Sequence, residues 1–229
     1  MPTVRFLGHS ACEVVHGYTR VLIDPFLTGN PLAAAKAEEM SPTAIILSHA
    51  HNDHMGDTLT IAKRCGATVV AIYEIAAWFG KQGVESHGMS IGGGHEFPWG
   101  WVKLTPAWHG STYQDENGDF ITLGTPAGIL LRLGGKLLYH AGDTGLFGDM
   151  ALVGRHGVDL ALLPIGDNFT MGPDDALQAV RLIRPTAVVP IHYNTFPVIE
   201  QDAEAWARRV ESEAGTKAVA LEPGAQLEY

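Results

Sequence analysis

Apolar runs broken by glycine open the chain. Residues 4 to 7, 11 to 15 and 19 to 23 (VRFL, ACEVV and TRVLI) each suit a short strand, and Gly8 and Gly17 mark turns between them, so an antiparallel start is predicted. Asp24-Pro25 ends the third strand, and the Ala-rich stretch from Leu32 to Met40 predicts a short helix before a strand at Ala44 to Leu47. A helix at Thr58 to Cys65, a strand at Ala67 to Ala71 and a helix at Ile75 to Gly80 follow, up to a bend at Gly92-Gly93-Gly94.

The second half repeats the scheme. Trp101 to Thr105 predicts a strand, and the polar stretch Gly110 to Gly118 predicts an exposed loop. Strands at Gly128 to Leu133 and Lys136 to Tyr139 meet in a Gly134-Gly135 hairpin turn, and Asp159 to Pro164 is the next strand. Pro173 with Asp174 and Asp175 suits a helix start, since proline needs no donor there and carboxylates favour the positive end of the dipole. That helix reaches Ile183, and a strand at Ala187 to Ile191, a helix at Glu200 to Ala214 and a strand at Ala218 to Leu221 complete the pattern. Antiparallel strands leading into strand–helix alternation, twice over, predict an α/β fold of two mixed sheets flanked by helices, within one domain spanning residues 1 to 229.

Polar residues interrupt this pattern at recurring places. Apolar strands run out at Asp24, His49, His109, the Ala141-Gly142-Asp143 segment, Asp167 and His192. Strand ends in layered α/β folds converge on one sheet edge, where ligands bind. The densest interruption is Ser48 to Asp57, SHAHNDHMGD, with three histidines and two acids directly after an apolar run. His49 and His51 are two apart and can approach one ion from adjacent positions, while Asp53 and His54 emerge later and can reach a second. Imidazole and carboxylate suit Zn²⁺ first, and also Mn²⁺, Fe²⁺, Co²⁺ or Ni²⁺. The serines form no GxSxG elbow, and no P-loop or GxGxxG fingerprint is present, so the nucleophile is expected to come from metal chemistry.

Composition narrows the partners. Lys plus Arg number 15 against 25 Asp plus Glu, a formal charge of −10, which excludes an extended nucleic-acid footprint and leaves small molecules as substrates. Cys12 and Cys65 have no ligand spacing and are expected as small buried hydrophobes. The opening MPTVRFLGHS lacks a basic region followed by a long apolar run, which predicts a cytoplasmic protein with no membrane segment; a homo-oligomer stays open.

SHAHNDHMGD resembles the signature of the metallo-β-lactamase fold superfamily. With GHS near the start, LIDPF, HAGDTGLFGDM, PIGDNFTMGP and PIHYNTFP, nearly the whole chain is similar to the metal-dependent hydrolases of the UPF0173 type, themselves similar to UlaG-like lactonases. The resemblance implies a four-layer αββα sandwich and two divalent ions. His49, His51 and His109 would hold one, Asp53, His54 and His192 the other, and Asp143 would bridge them. It implies attack by a hydroxide lying between the ions on a small ester or lactone, with a phosphodiester substrate and a non-catalytic metal-binding role as alternatives. It favours neither β-lactam hydrolysis nor redox use, since diiron members carry Glu where this chain has His51.

Several roles stay open. His9 lies on a turn that could face the expected site, where contact with substrate or leaving group competes with a plain structural hydrogen bond and with a direct metal role. Asp24, Asp57 and Asp167 are candidates to orient metal-bound imidazoles, and Asp57 competes for a helix start. His140 could orient a ligand or simply pack. Asn168, Thr170 and Asn194 are expected to orient substrate, and Trp108, Phe169 and Phe196 to supply apolar walls. His16, His87, His95 and His156 read as surface or structural residues.

Overall fold

In the computed structural model, which describes residues 1–229, the strands of the first half are β1 (Thr3–Gly8), β2 (Ala11–His16), β3 (Thr19–Ile23), β4 (Ala44–Ile46), β5 (Thr68–Ile72) and β6 (Ser86–Met89). Later come β7 (Gly94–Phe97), β8 (Gly100–Pro106), β9 (Thr112–Gln114), β10 (Phe120–Thr122), β11 (Ala127–Leu133) and β12 (Lys136–His140). The last four are β13 (Leu160–Pro164), β14 (Ala187–Ile191), β15 (Lys217–Ala218) and β16 (Gln226–Glu228). Helices are α1 (Asn52–Met55), α2 (Thr58–Cys65), α3 (Tyr73–Lys81), α4 (Met150–Gly154), α5 (Pro173–Ile183) and α6 (Ala203–Ala214).

The strands form two mixed sheets, ordered β16-β1-β2-β3-β4-β5-β6 and β15-β14-β13-β12-β11-β8-β7. Helices on their outer faces complete the four-layer αββα sandwich. Strand direction explains where the site lies. β1 and β2, then β2 and β3, pair antiparallel, so β1 runs the same way as β3, and β4 and β5 continue parallel to it. In the other sheet β8 and β11, then β11 and β12, pair antiparallel, so β8 runs with β12, β13 and β14. Each sheet therefore delivers the C-terminal ends of several co-directional strands to one edge.

Period-2 alternation divides the core. In β11 to β13, Ile129, Leu131, Leu138, Leu160 and Leu162 face the core shared by the sheets. Their neighbours Leu130, Leu137, Tyr139, Ala161 and Leu163 pack with Val180 and Ile183 of α5 and Trp206 and Val210 of α6. Such strands are buried on both faces, which is why they read as continuous apolar runs. Each fully buried aliphatic side chain contributes about 1.5–3 kcal/mol.

Four expectations are corrected. Leu32 to Met40 is not a helix apart from one 3₁₀ turn at Ala37–Glu39, because its backbone is bound otherwise: Ala34 N donates across the fold to Leu7 O (3.0 Å), and Leu32 N donates locally to Asn30 Oδ1 (2.9 Å). The stretch from Gly110 to Gly118 enters a hairpin of β9 and β10, fastened to α1 where Asn52 Nδ2 donates to Gln114 O (2.8 Å) and Gln114 N to Asn52 Oδ1 (2.9 Å). The last helix starts at Ala203, where Asp202 caps it by accepting from Ala205 N (2.8 Å). The final expected strand shrinks to β15, and the chain end returns as β16 beside β1. Both cysteines are free, with Cys12 buried and Cys65 half-buried.

Candidate metal centre

The loop after β4 carries the first group. His51 occupies the position before α1, and its carbonyl accepts from His54 N (3.0 Å) and Met55 N (2.8 Å), so one helical turn swings Asp53 and His54 away from His49 and His51. His51 Nδ1 lies 3.0 Å from His49 Nε2 and 3.2 Å from His109 Nε2, the last arriving from the end of β8. The loop holding His109 is latched to the one holding Asp143: Trp108 N donates to Thr144 Oγ1 (2.9 Å) and Gly145 N to Trp108 O (3.1 Å). Three imidazole nitrogens so close together repel as lone pairs or as imidazolium charges, and a shared cation relieves both.

The second group is Asp53, His54, His192 and His9, with ligand atoms within 4.8 Å of one another. The structure thus brings together all six histidine and aspartate positions assigned to two ions from the sequence, and adds His9. Asp143 stands between the groups. Its Oδ2 is 3.0 Å from His192 Nε2, 3.5 Å from His109 Nε2 and 4.0 Å from His49 Nε2, and its Oδ1 is 3.3 Å from His54 Nε2. His54 Nε2 and Asp143 Oδ1 are buried without a hydrogen-bond partner. Orphaned buried atoms of this kind are costly unless a cation completes them, so the residues fit a pair of divalent ions.

A buried network aims the rings. Asp24 accepts from Ser48 N (2.8 Å), Ser48 Oγ (2.5 Å) and His54 Nδ1 (2.8 Å). Because the Ser48 proton goes to Asp24, its oxygen accepts from His49 Nδ1 (2.9 Å). Both rings therefore carry a proton on Nδ1 and turn Nε2 toward the site. Gly142 permits this packing, since at φ 60° it lies against Ser48, where a Cβ would come within 2.7 Å of the Ser48 Cβ. His140 donates from Nε2 to Ser10 O (2.9 Å) and accepts from Gly142 N (3.1 Å), tying the Asp143 loop to the turn that carries His9.

Electrostatics divide the imidazoles. Burial pushes the His49, His51 and His109 imidazoles below their usual range, toward the neutral form that ligates. Burial also takes His9 down to about 4, against the opposing pull of its Asp53 partner. His54 goes the other way: burial opposes protonation, but the Asp143 and Asp24 carboxylates outweigh it. For Asp143, burial works against ionisation and loses to His192 and His54, which hold the carboxyl well below its usual range.

The open roles resolve unevenly. His9 is fully buried, with Nδ1 2.8 Å from Thr195 Oγ1 and Nε2 3.2 Å from Asp53 Oδ2, and it is not among the residues that line the cavity. Asp24 orients imidazoles as expected. Asp57 stands at the start of α2 as expected, but its carboxylate makes no cap and orients no imidazole, accepting instead from Leu27 N (3.0 Å) and Thr28 N (2.8 Å). Asp167 is spent on Asn168 N (2.9 Å), and Asn194 Oδ1 accepts from Gln201 N (2.8 Å). Asn168, Thr170, Asn194 and Trp108 stand outside the cavity lining, whereas Phe169 and Phe196 belong to it. Ser48, Thr144 and Thr195 were missed; only Ser48 carried a signal, lying between an apolar strand and His49.

A cluster of three imidazoles beside a cluster of imidazoles and a carboxylate, at one sheet edge of an αββα sandwich, defines a binuclear metal-dependent hydrolase. The model of the beta-lactamase superfamily domain matches residues 19–193. A UPF0173 metal-dependent hydrolase of Thermus thermophilus is 52% identical over 227 residues, 99% of each chain, and one from Pelotomaculum thermopropionicum is 50% identical over 226 residues, 98% of this chain and 99% of that protein. Among solved structures, Igni18, a metallo hydrolase from Ignicoccus hospitalis, superposes with a TM-score of 0.90 at 37% identity, covering 100% of this chain and 99% of the other. The chain belongs to the UPF0173 metal-dependent hydrolases of the beta-lactamase superfamily. None of its helices is long and apolar enough to cross a membrane.

Proposed function

We propose that the protein hydrolyses a small carboxylic ester or lactone with two Zn²⁺ ions, one held by His49, His51 and His109 and the other by Asp53, His54 and His192, with Asp143 between them. The observation that carries this reading is the reach of Asp143, whose two oxygens approach imidazoles of both clusters at 3.0 to 4.0 Å. Ions bound there would supply a hydroxide nucleophile at neutral pH and positive charge to offset the negative charge that develops on the substrate's carbonyl oxygen.

The chain's own residues do the rest. Asp53 and Asp143 balance cationic charge, and Asp24 fixes the rings of His49 and His54. His9 holds Asp53 from behind. His51, Asp53, His109, Asp143 and His192 form the cavity floor, over which the substrate carbonyl lies.

The test is elemental analysis of protein purified without nickel affinity, followed by turnover of an ester and lactone panel with the native metal. Two equivalents of ion, and turnover abolished by Asp143→Ala, are expected. Retention of fewer than two, or turnover indifferent to chelation, would overturn the reading.

A further inference from the structure

Above its polar floor the cavity changes character. It encloses about 390 Å³, a small-molecule volume, and the remaining lining residues are Phe169, Phe196 and Val198. Phe169 is 53% exposed and Val198 55% exposed, an arrangement that costs hydration free energy unless something apolar is met there.

These walls are preformed. Val198 sits in the 3₁₀ turn Pro197–Ile199, whose Ile199 is fully buried, so the turn is anchored on one side and presents Val198 on the other. Asn194 N donates to Ile199 O (2.9 Å) and Ile199 N to Phe196 O (3.0 Å), closing the loop on itself. Phe196 meets the buried His9 ring edge-on, with centroids 5.6 Å apart. Phe169 follows Asp167 and Asn168, both held at positive φ (62° and 47°), a conformation that costs a non-glycine residue energy and persists at functional sites.

Charge points the same way. No lysine or arginine lines the cavity, and Asp53 and Asp143 already offset part of whatever positive charge the ions bring. A charged tail on the substrate would find no counter-ion along Phe169, Phe196 and Val198, and burying it there unpaired is unfavourable.

We propose that the substrate's acyl group carries an uncharged aliphatic or aromatic tail, seated against Phe169, Phe196 and Val198 while its carbonyl faces the imidazole–carboxylate floor. This rests on the hydrolase reading of that floor and adds the substrate class to it. A tail on this wall gains binding with each methylene, about two- to fourfold per carbon where burial is partial to complete.

The test measures binding separately from turnover. Straight-chain alkyl hydroxamic acids from acetyl to octanoyl, and a matched series whose tails end in carboxylate, are titrated calorimetrically into the metal-loaded protein and into its Phe169→Ser and Val198→Ser variants. Both altered side chains are exposed, so folding is spared, and metal content checks it. Affinity is expected to rise with chain length in the wild type, to rise less steeply in both variants, and to fall at least tenfold when the tail ends in carboxylate. Affinity independent of chain length, equal affinity for the carboxylate tails, slopes unchanged in both variants, or no binding at all overturns the proposal. A chain-length dependence that the variants flatten, accompanied by no hydrolysis of any ester or lactone, keeps the apolar seat and overturns the ester reading instead.

Discussion

The two sheets have matching strand directions, three parallel and three antiparallel pairings each, yet they build their halves of the site differently. The first delivers His49, His51, Asp53 and His54 in a single segment, where one buried carboxylate, Asp24, holds His54 directly and His49 through Ser48. The second delivers one residue per strand end, His109, Asp143 and His192, and holds them with bonds between loops. Trp108 is tied to Thr144, Met171 N donates to Thr144 O (2.9 Å), and His192 N crosses to His9 O of the first sheet (2.8 Å). A concentrated half depends on one hub and a distributed half on many latches, so single substitutions should act on them unequally.

The largest effect should come from the one side chain that both halves share. Asp143→Ala should lower metal occupancy in both clusters and reduce turnover by more than the roughly 100-fold limit typical of orienting groups. His51→Ala is the comparison: it belongs to one cluster, so occupancy should fall toward one equivalent. Elemental analysis with parallel kinetics distinguishes them, and equal losses of metal would remove Asp143 from its central position.

Next comes the hub. Asp24→Asn keeps the volume but cannot accept from Ser48 N, Ser48 Oγ and His54 Nδ1 as the carboxylate does. Metal affinity or activity should drop about 10- to 100-fold, with both ion positions affected because His49 and His54 serve different clusters. A loss confined to one position would show that Ser48 holds His49 without Asp24.

A latch should matter less to the metal and more to the fold. His140→Phe leaves Ser10 O and Gly142 N without their buried partner, at about 1–3 kcal/mol for each unpaired group. Denaturant unfolding of the metal-free protein should show this destabilisation, and metal affinity should fall by less than in Asp24→Asn. A stability unchanged from wild type would mean that water replaces the ring.

The same contrast governs what could be read from the sequence. The concentrated half announces itself, because three histidines and two acids within ten residues after an apolar run have no core use. Apart from the family resemblance, Asp143 and His192 are legible only as strand ends, and their meeting depends on an even number of antiparallel reversals between co-directional strands, which local pattern does not encode. Thr144 and Thr195 act through partners distant in the chain, so hydropathy carries no trace of them, and Ser48 shows only by its place between an apolar strand and His49. The misread helix at 32 to 40 failed in part for the same reason: Ala-rich propensity is worth tenths of a kcal/mol per residue, and the distant bond to Leu7, with a local turn bond to Asn30, outweighs it. β7 and β16 are short, exposed edge strands with little apolar alternation to reveal them.

The smallest predicted effect sets two aspartates at helix starts against each other, one from each half. Asp202 caps α6 by accepting from Ala205 N, whereas Asp57, in the equivalent place before α2, leaves that helix uncapped and accepts from Leu27 N and Thr28 N instead. Its own N–H donates to Pro25 O (2.9 Å), and Gly56 beside it packs so closely on Pro25 that a Cβ would overlap the carbonyl. Asp57 thereby pins the segment that begins at Asp24, which sits at φ 45°, and that places Phe26 edge-on against His9 at 5.7 Å. Asp202→Ala should cost about 1 kcal/mol of stability, the usual value of a lost cap, and leave metal binding untouched. Asp57→Ala should cost a similar amount by denaturation, because two amides lose a charged acceptor, yet it should also weaken metal binding by releasing Asp24 and His9. Equal metal affinity in the two variants would mean that the Asp24 network holds itself in place, and that the concentrated half needs no support from its neighbouring loop.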